Sequence, residues 1–235
     1  MEKQRLDRYI SNQLILPRSQ VRTGIRRGRA TVNGDTVKDP SALIETGADI
    51  VYDSVKIEYK KYVYIIMNKP AGVLCATQDK SQKTVIDLVP PSLKRPELAP
   101  VGRLDKDTTG LLLITDDGTF AHNCISPKKN VKKCYIADID AELDESAIAQ
   151  FKEGITLADG TLCKSADLEI IGQKRVRITI TEGKYHQIKR MLGVVGAGVV
   201  SLHRESIGAL VLPEGLREGE CRETNAEFLN KIIGI

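Results

Sequence analysis

Gly102 to Gly118 reads GRLDKDTTGLLLITDDG, and its acids Asp105, Asp107 and Asp116 stand where two kinds of chemistry could be done. The first is cation binding. Counting from Asp105, oxygen donors fall at positions 1, 3, 5 and 12 (Asp105, Asp107, Thr109, Asp116) with Gly110 at position 6, close to the spacing of a helix–loop–helix calcium site. That site needs a helix on each side and a longer, bidentate glutamate at its end. Here Pro96 and Pro100 exclude a helix upstream, and Leu111 to Thr115 has strand character, closed by Asp116-Asp117-Gly118 as a hairpin signal. The second is carboxylate catalysis. Asp105 lies between Arg103 and Lys106 at the mouth of an aliphatic run, where neighbouring cations favour its ionised form. A carboxylate kept ionised and partly desolvated is a competent nucleophile or base. The bland alternative is an inert surface pair with Arg103 or Lys106; against it, Gly102 permits close backbone approach and Thr108-Thr109-Gly110 makes a compact turn.

The elements that must position this loop follow from periodicity. Residues 62–68 (YVYIIMN) predict a strand buried on both faces, turned by Lys69-Pro70-Ala71-Gly72. Further strands are expected at 111–115, 133–139, 166–171, 175–182 and 198–203, and helices at 119–125, 144–153 and 185–195. No βαβ rhythm repeats, so residues 61–235 are expected to form an α+β domain on a mainly antiparallel, mixed sheet. The proline-rich stretch 90–100 is long enough to expect mobility.

Residues 1–60 read differently. Up to Gly34 there are eight Lys or Arg against two acids, a local excess of six in a chain whose total excess is four. Leu6, Ile10 and Leu14 recur every four residues, Pro17-Arg18-Ser19 breaks the pattern, and Val21 and Ile25 begin a second helix ending at Gly28. A short strand, Ala30-Thr31-Val32, then turns at Asn33-Gly34. Arg18, Arg22, Arg26 and Arg29 share one face without interleaved acids, a stripe suited to a row of phosphates.

The five cysteines form no CxxC pair, which points to reduced thiols in a cytoplasmic protein, without a disulfide framework or a metal site. The longest apolar run is too short for a membrane span, and the basic first thirty residues hold no apolar signal core. No heptad or long apolar stripe is left over, so a monomer is expected.

These segments resemble known families. RLDRYI, PRSQVRTGIRRGRATVNG and GADIV are similar to the S4 RNA-binding domain, which implies RNA contacts through Arg5, Arg18, Ser19, Arg22, Arg26 and Arg29. GRLDKDTTGLLLITDDG, with NKPAGVLC ahead of it and KKCYIADI, EGKYHQIKRML and LHRESIG following in order, resembles the RsuA-type ribosomal RNA pseudouridine synthases. The resemblance implies a cofactor-free conversion of uridine to pseudouridine. It makes Asp105 the catalytic aspartate, Tyr135 the tyrosine that stacks on the target base, Lys189 the cation paired with the aspartate, and Leu192 an apolar contact beneath it. Arg103 would help turn the uridine out of its RNA, and Arg190 is grouped with the substrate-binding residues as the alternative cation. His186 is read as structural, since no Ser or Cys nucleophile is there for it to serve. The pattern is most similar to the family's small-subunit members, which implies uridine 516 of 16S rRNA or a small-subunit assembly particle; large-subunit members usually carry Asn near the position of Asp107. A 23S rRNA target, and a non-catalytic S4-type RNA-binding or ribosome-assembly protein, are the alternatives.

Overall fold

The structure, a computed structural model, describes residues 3–234, which fall into two compact units. The first comprises residues up to Tyr62 together with Pro91–Pro96, and the second Val63–Pro90 with Glu97 onward.

In the first unit, strand β1 (Lys3–Arg5) leads into helices α1 (Leu6–Leu14) and α2 (Arg18–Arg26). Strands β2 (Ala30–Val32), β3 (Asp35–Thr36), β4 (Leu43–Glu45), β5 (Ile50–Tyr52) and β6 (Val55–Ile57) follow. The order β3-β2-β5-β6 is antiparallel throughout, and β1 pairs separately with β4. Asn33 and Gly34 both take positive φ, the geometry a two-residue hairpin between β2 and β3 requires. Leu6, Tyr9 and Ile10 of α1 and Val21 and Ile25 of α2 meet Ile50, Tyr52 and Ile57 in one core, because three- and four-residue spacing puts them on facing helix sides. The loop expected to be mobile is tied here: Arg95 donates from Nη1 to the Lys60 carbonyl (2.9 Å) and from Nη2 to Gln13 Oε1 (3.2 Å).

The second unit is an α+β domain. Its strands are β7 (Tyr64–Lys69), β8 (Ala99–Pro100), β9 (Thr109–Thr115), β10 (Lys133–Ile139), β11 (Asp167–Gly172), β12 (Arg175–Ile180), β13 (Val199–Ile207), β14 (Leu210–Val211) and β15 (Cys221–Thr224). Its helices are α3 (Gly118–Ile125), α4 (Glu145–Glu153), α5 (Gln187–Val194) and α6 (Ala226–Ile233). The sheet runs β11-β12-β10-β13-β9-β7-β15, with β8 on β9 and β14 on β13; all pairs are antiparallel except β9 with β13. Every residue of β7 is buried, whereas Tyr62, expected in that strand, belongs to the first unit and is exposed. Asp116-Asp117-Gly118 is a helix start, not a hairpin: Asp117 Oδ1 accepts from the Thr119 and Phe120 amides (3.0 Å each) and so caps α3. Strands flank the Asp105 loop on both sides, β8 before and β9 after, so the helix–loop–helix frame of a calcium site is absent.

The short strands β14 and β15 and the helix α6 were not evident from periodicity. Helix α6 buries only Leu229 and Ile233, against Tyr64, Leu113 and Phe120. Among the described residues no helix is long and apolar enough to cross a membrane, and all five cysteines are free thiols.

Candidate active site

The loop between β8 and β9 owes its shape to two contacts. At Gly110 a Cβ would lie 2.3 Å from the Arg204 carbonyl oxygen, so only glycine lets β9 approach β13 closely enough to pair in parallel. Lys69, at the end of β7, is fully buried and donates from Nζ to the carbonyls of Pro70 (3.0 Å), Lys106 (3.1 Å) and Thr108 (2.9 Å). Burial lowers its ammonium pKa, but three carbonyl dipoles use all three of its donors. With the Gly72 amide on the Lys106 carbonyl (2.8 Å), Lys69 pins the turn that presents Asp105. Sequence reading missed this lysine; the signal was a cation directly after an otherwise apolar strand.

Asp105 faces a small pocket whose walls include Tyr135 of β10, Ile180 of β12, Ile188 of α5 and Leu202 of β13. Its side chain is 28% exposed, with His186 Nε2 at 3.5 Å from Oδ1 and Lys189 Nζ at 3.5 Å from Oδ2. Both distances exceed a good hydrogen bond, so the carboxylate is flanked by these groups without being fastened to either. Thr108 contributes a buried hydroxyl with no hydrogen-bond partner to the same pocket.

The turn into α5 sets His186 and Lys189. Glu182 accepts from the Lys164 amide (2.9 Å), Gln187 Nε2 (2.9 Å) and Lys184 Nζ (2.7 Å). Burial would raise the Glu182 pKa, but these donors outweigh it and hold the carboxyl low. His186 then takes φ 47° ahead of α5 and stacks on Tyr185, with ring centroids 3.9 Å apart. His186, expected to be structural, lines the pocket beside Asp105.

Other expected positions fall differently. Tyr135 is buried and lines the pocket, and Arg103 is exposed at its edge. Leu192 is fully buried in the core and is not part of the pocket lining, because α5 turns it inward; Ile188, one turn earlier, fills that place. Arg190 points elsewhere, its Nη2 2.5 Å from Asp159 Oδ2, and that hydrogen bond holds the Asp159 carboxyl at about 2. The arginines of the first unit are not acid-free either. Asp7, fully buried on α1, receives Arg5 Nη2 at 3.0 Å, Arg18 Nη2 at 2.9 Å and Arg22 Nε at 3.8 Å. Burial pushes the Asp7 pKa up, but hydrogen bonds from Arg5 and Arg18 prevail and hold it at about 2. Arg29 lies beyond α2 and pairs with Asp53, while Arg26 and Ser19 stay exposed on the helix. The missing acid came from the neighbouring helix, where no i to i+4 rule would find it.

An S4-like module preceding an α+β domain with an aspartate at a partly enclosed pocket describes an RNA-modifying enzyme, and comparison makes the class specific. Residues 63–193 match the model of the RNA pseudouridylate synthase family and residues 4–50 that of the S4 domain. The chain belongs to the RNA pseudouridylate synthase family and is an isomerase acting on uridine in RNA. It is 38% identical over 231 residues to the uncharacterized RNA pseudouridine synthase YtzG of Bacillus subtilis, covering 96% of this chain and 97% of that protein. It is 39% identical over 230 residues to the ribosomal small subunit pseudouridine synthase A of Salmonella typhimurium, covering 97% and 99%. The Escherichia coli K12 protein of that name is 37% identical over 231 residues, covering 97% and 100%. A solved pseudouridylate synthase, 37% identical, superposes with a TM-score of 0.69 over 98% of this chain and all of that one.

Proposed function

We propose that this enzyme converts uridine 516 of 16S rRNA to pseudouridine, with Asp105 as the reactive carboxylate, acting as a cytoplasmic monomer on 16S rRNA or a small-subunit assembly particle. The observation that carries the reading is Asp105 itself, part-exposed in a pocket that has Ile180, Ile188 and Leu202 in its wall, and flanked at 3.5 Å by Lys189 and His186. The small-subunit target is supported by end-to-end similarity to relatives named for that subunit.

The reaction breaks the N1 to C1′ bond of uridine, turns the base and joins C5 to C1′; the C5 proton leaves and N1 regains one, so atoms balance without a cofactor. Asp105 either attacks the nucleotide or removes a proton from the sugar, and both routes need an ionised oxygen close to the ribose. A paired uridine must first leave its helix, which costs a few kcal/mol. Arg103 at the pocket edge serves that extrusion, Tyr135 stacks on the freed base, and Ile180, Ile188 and Leu202 hold it against escape. Lys189 keeps a positive charge beside Asp105 throughout. In the first unit, the exposed faces of Arg18, Ser19, Arg22, Arg26 and Arg29, with Arg5, meet RNA phosphates.

The test is to incubate wild type and Asp105→Asn with 16S rRNA, 23S rRNA and small-subunit assembly particles and to map pseudouridine. Wild type is expected to modify position 516, and Asp105→Asn to bind within a few-fold yet yield nothing. Product only in 23S rRNA would overturn the small-subunit target, and product from Asp105→Asn would overturn the role of the carboxylate.

A further inference from the structure

Tyr135, Arg103 and His186 also line a larger cleft of about 980 Å³ beside the Asp105 pocket. Two cations in its wall take no part in the chemistry described above. Arg204 of β13 lies opposite Tyr135 of β10 and Gly110 of β9, is only 2% exposed, and carries its guanidinium 6.0 Å from the Tyr135 ring centroid. Its Nε donates to the Leu111 carbonyl (2.7 Å), but its Nη2 is buried with no hydrogen-bond partner. Lys133, two residues before Tyr135, spends one donor on the Val131 carbonyl (3.2 Å).

Among the described residues neither cation makes an ion pair with any acid of the cleft wall. Asp79 accepts from the amides of Ser81 and Gln82, Asp105 faces His186 and Lys189, and burial pushes the Cys75 thiol up and the Cys124 thiol to about 12. Burial depresses the Lys133 pKa, and the charge on Arg204 depresses it further, so the two cations feel each other. A buried guanidinium with an unused donor, beside a half-buried ammonium and with neither charge compensated, lacks one thing: an anion. A phosphate oxygen satisfies both, the fork from one side and the point charge from the other.

We propose that Arg204 and Lys133 form a phosphate subsite in this cleft, and that it takes a backbone phosphate of the RNA strand next to the uridine held over Asp105. The subsite rests on the reading of Asp105 as the uridine site only in its choice of ligand. It fixes the strand beside Tyr135, so that the extruded nucleotide enters in one register.

Two measurements on the full chain test this. First, inorganic phosphate is titrated at constant ionic strength, with chloride as control, into 15N-labelled wild type while arginine Nε–H signals are followed. A saturable shift is expected in the signal that disappears in Arg204→Lys; in Lys133→Gln the affinity should fall about ten-fold, and Lys133→Arg should restore it. Second, an RNA hairpin bearing the target uridine carries a neutral methylphosphonate at the adjacent linkage. Its KM should rise about ten-fold for wild type and by clearly less for Lys133→Gln, because the ammonium's share of that contact is already gone. No saturable response to phosphate, or equal methylphosphonate losses in both proteins despite one, overturns the RNA subsite; the latter result would assign the pocket to free phosphate. A saturable, Lys133-dependent response in a protein that makes no pseudouridine would leave the anion site standing and remove the proposed reaction instead.

Discussion

Lys189 Nζ lies 2.6 and 2.7 Å from the two oxygens of Asp107 and 3.5 Å from Asp105 Oδ2, so one ammonium serves a holding carboxylate and a reactive one. Asp107 is well exposed, and its hydrogen bond to Lys189 is the main reason its pKa is lowered. The arrangement stores the lysine beside the pocket without tying up Asp105.

Removing each partner therefore has a different effect. Lys189→Ala is expected to lower kcat about 100-fold with little change in the thermal midpoint, since its ion-pair partner Asp107 is well exposed. Asp107→Asn leaves Lys189 a single carboxylate to approach, and kcat should stay within about ten-fold of wild type. Steady-state kinetics on the same RNA decide between them; equal losses in both variants would make Lys189 a structural partner of Asp107 alone.

Lys69→Met tests the support beneath Asp105. It deletes three charge-assisted hydrogen bonds and leaves the carbonyls of Pro70, Lys106 and Thr108 without their donor, at a cost of about 3 kcal/mol. The loss should appear in kcat more than in KM, because the carboxylate is misplaced while the RNA surface is intact. A variant destabilised as expected but with full kcat would show that the turn holds its shape without the lysine.

The buried Asp7 predicts acid sensitivity of the first unit. Its carboxyl is held at about 2 when folded, against an ordinary 3.8. The stabilisation is complete above the unfolded value and is lost as pH falls through the folded one. Because the three arginines are half exposed, it amounts to about 1–2 kcal/mol. Asp7→Asn should thus be less stable than wild type at neutral pH, with the gap closing between pH 4 and about 2. Denaturant melts at several pH values measure it, and a gap that persists at pH 2 would contradict the linkage.

The arginines around Asp7 should separate from Arg26. Arg26→Ala is expected to weaken RNA binding and reduce the magnitude of its salt slope by about one, with no change in stability. Arg18→Ala should do the same and also destabilise the first unit, because it removes the 2.9 Å partner of a buried carboxylate. Filter binding across a salt series, paired with melting curves, distinguishes the two; identical behaviour would mean that the ion pair to Asp7 carries no stability.

Local rules reached a defined distance in this chain. Strand β10 and the helices α1, α2 and α4 were legible because their apolar residues repeat at the period of the element they form. The motif around Asp105 was legible because residue type and spacing carry its chemistry. What lay beyond the sequence were pairings between segments far apart in the chain: Lys189 with Asp107 as well as Asp105, Asp7 beneath three arginines, and Lys69 under the turn. Arg190 and Leu192 share a motif with Lys189, yet α5 turns one toward Asp159 and the other into the core, since a 3.6-residue turn sends adjacent positions to different faces. Sequence alone therefore determined which residues could react, and the tertiary structure decided which of them meet, because an ion pair or a pocket wall depends on distance in space and a motif records only distance along the chain.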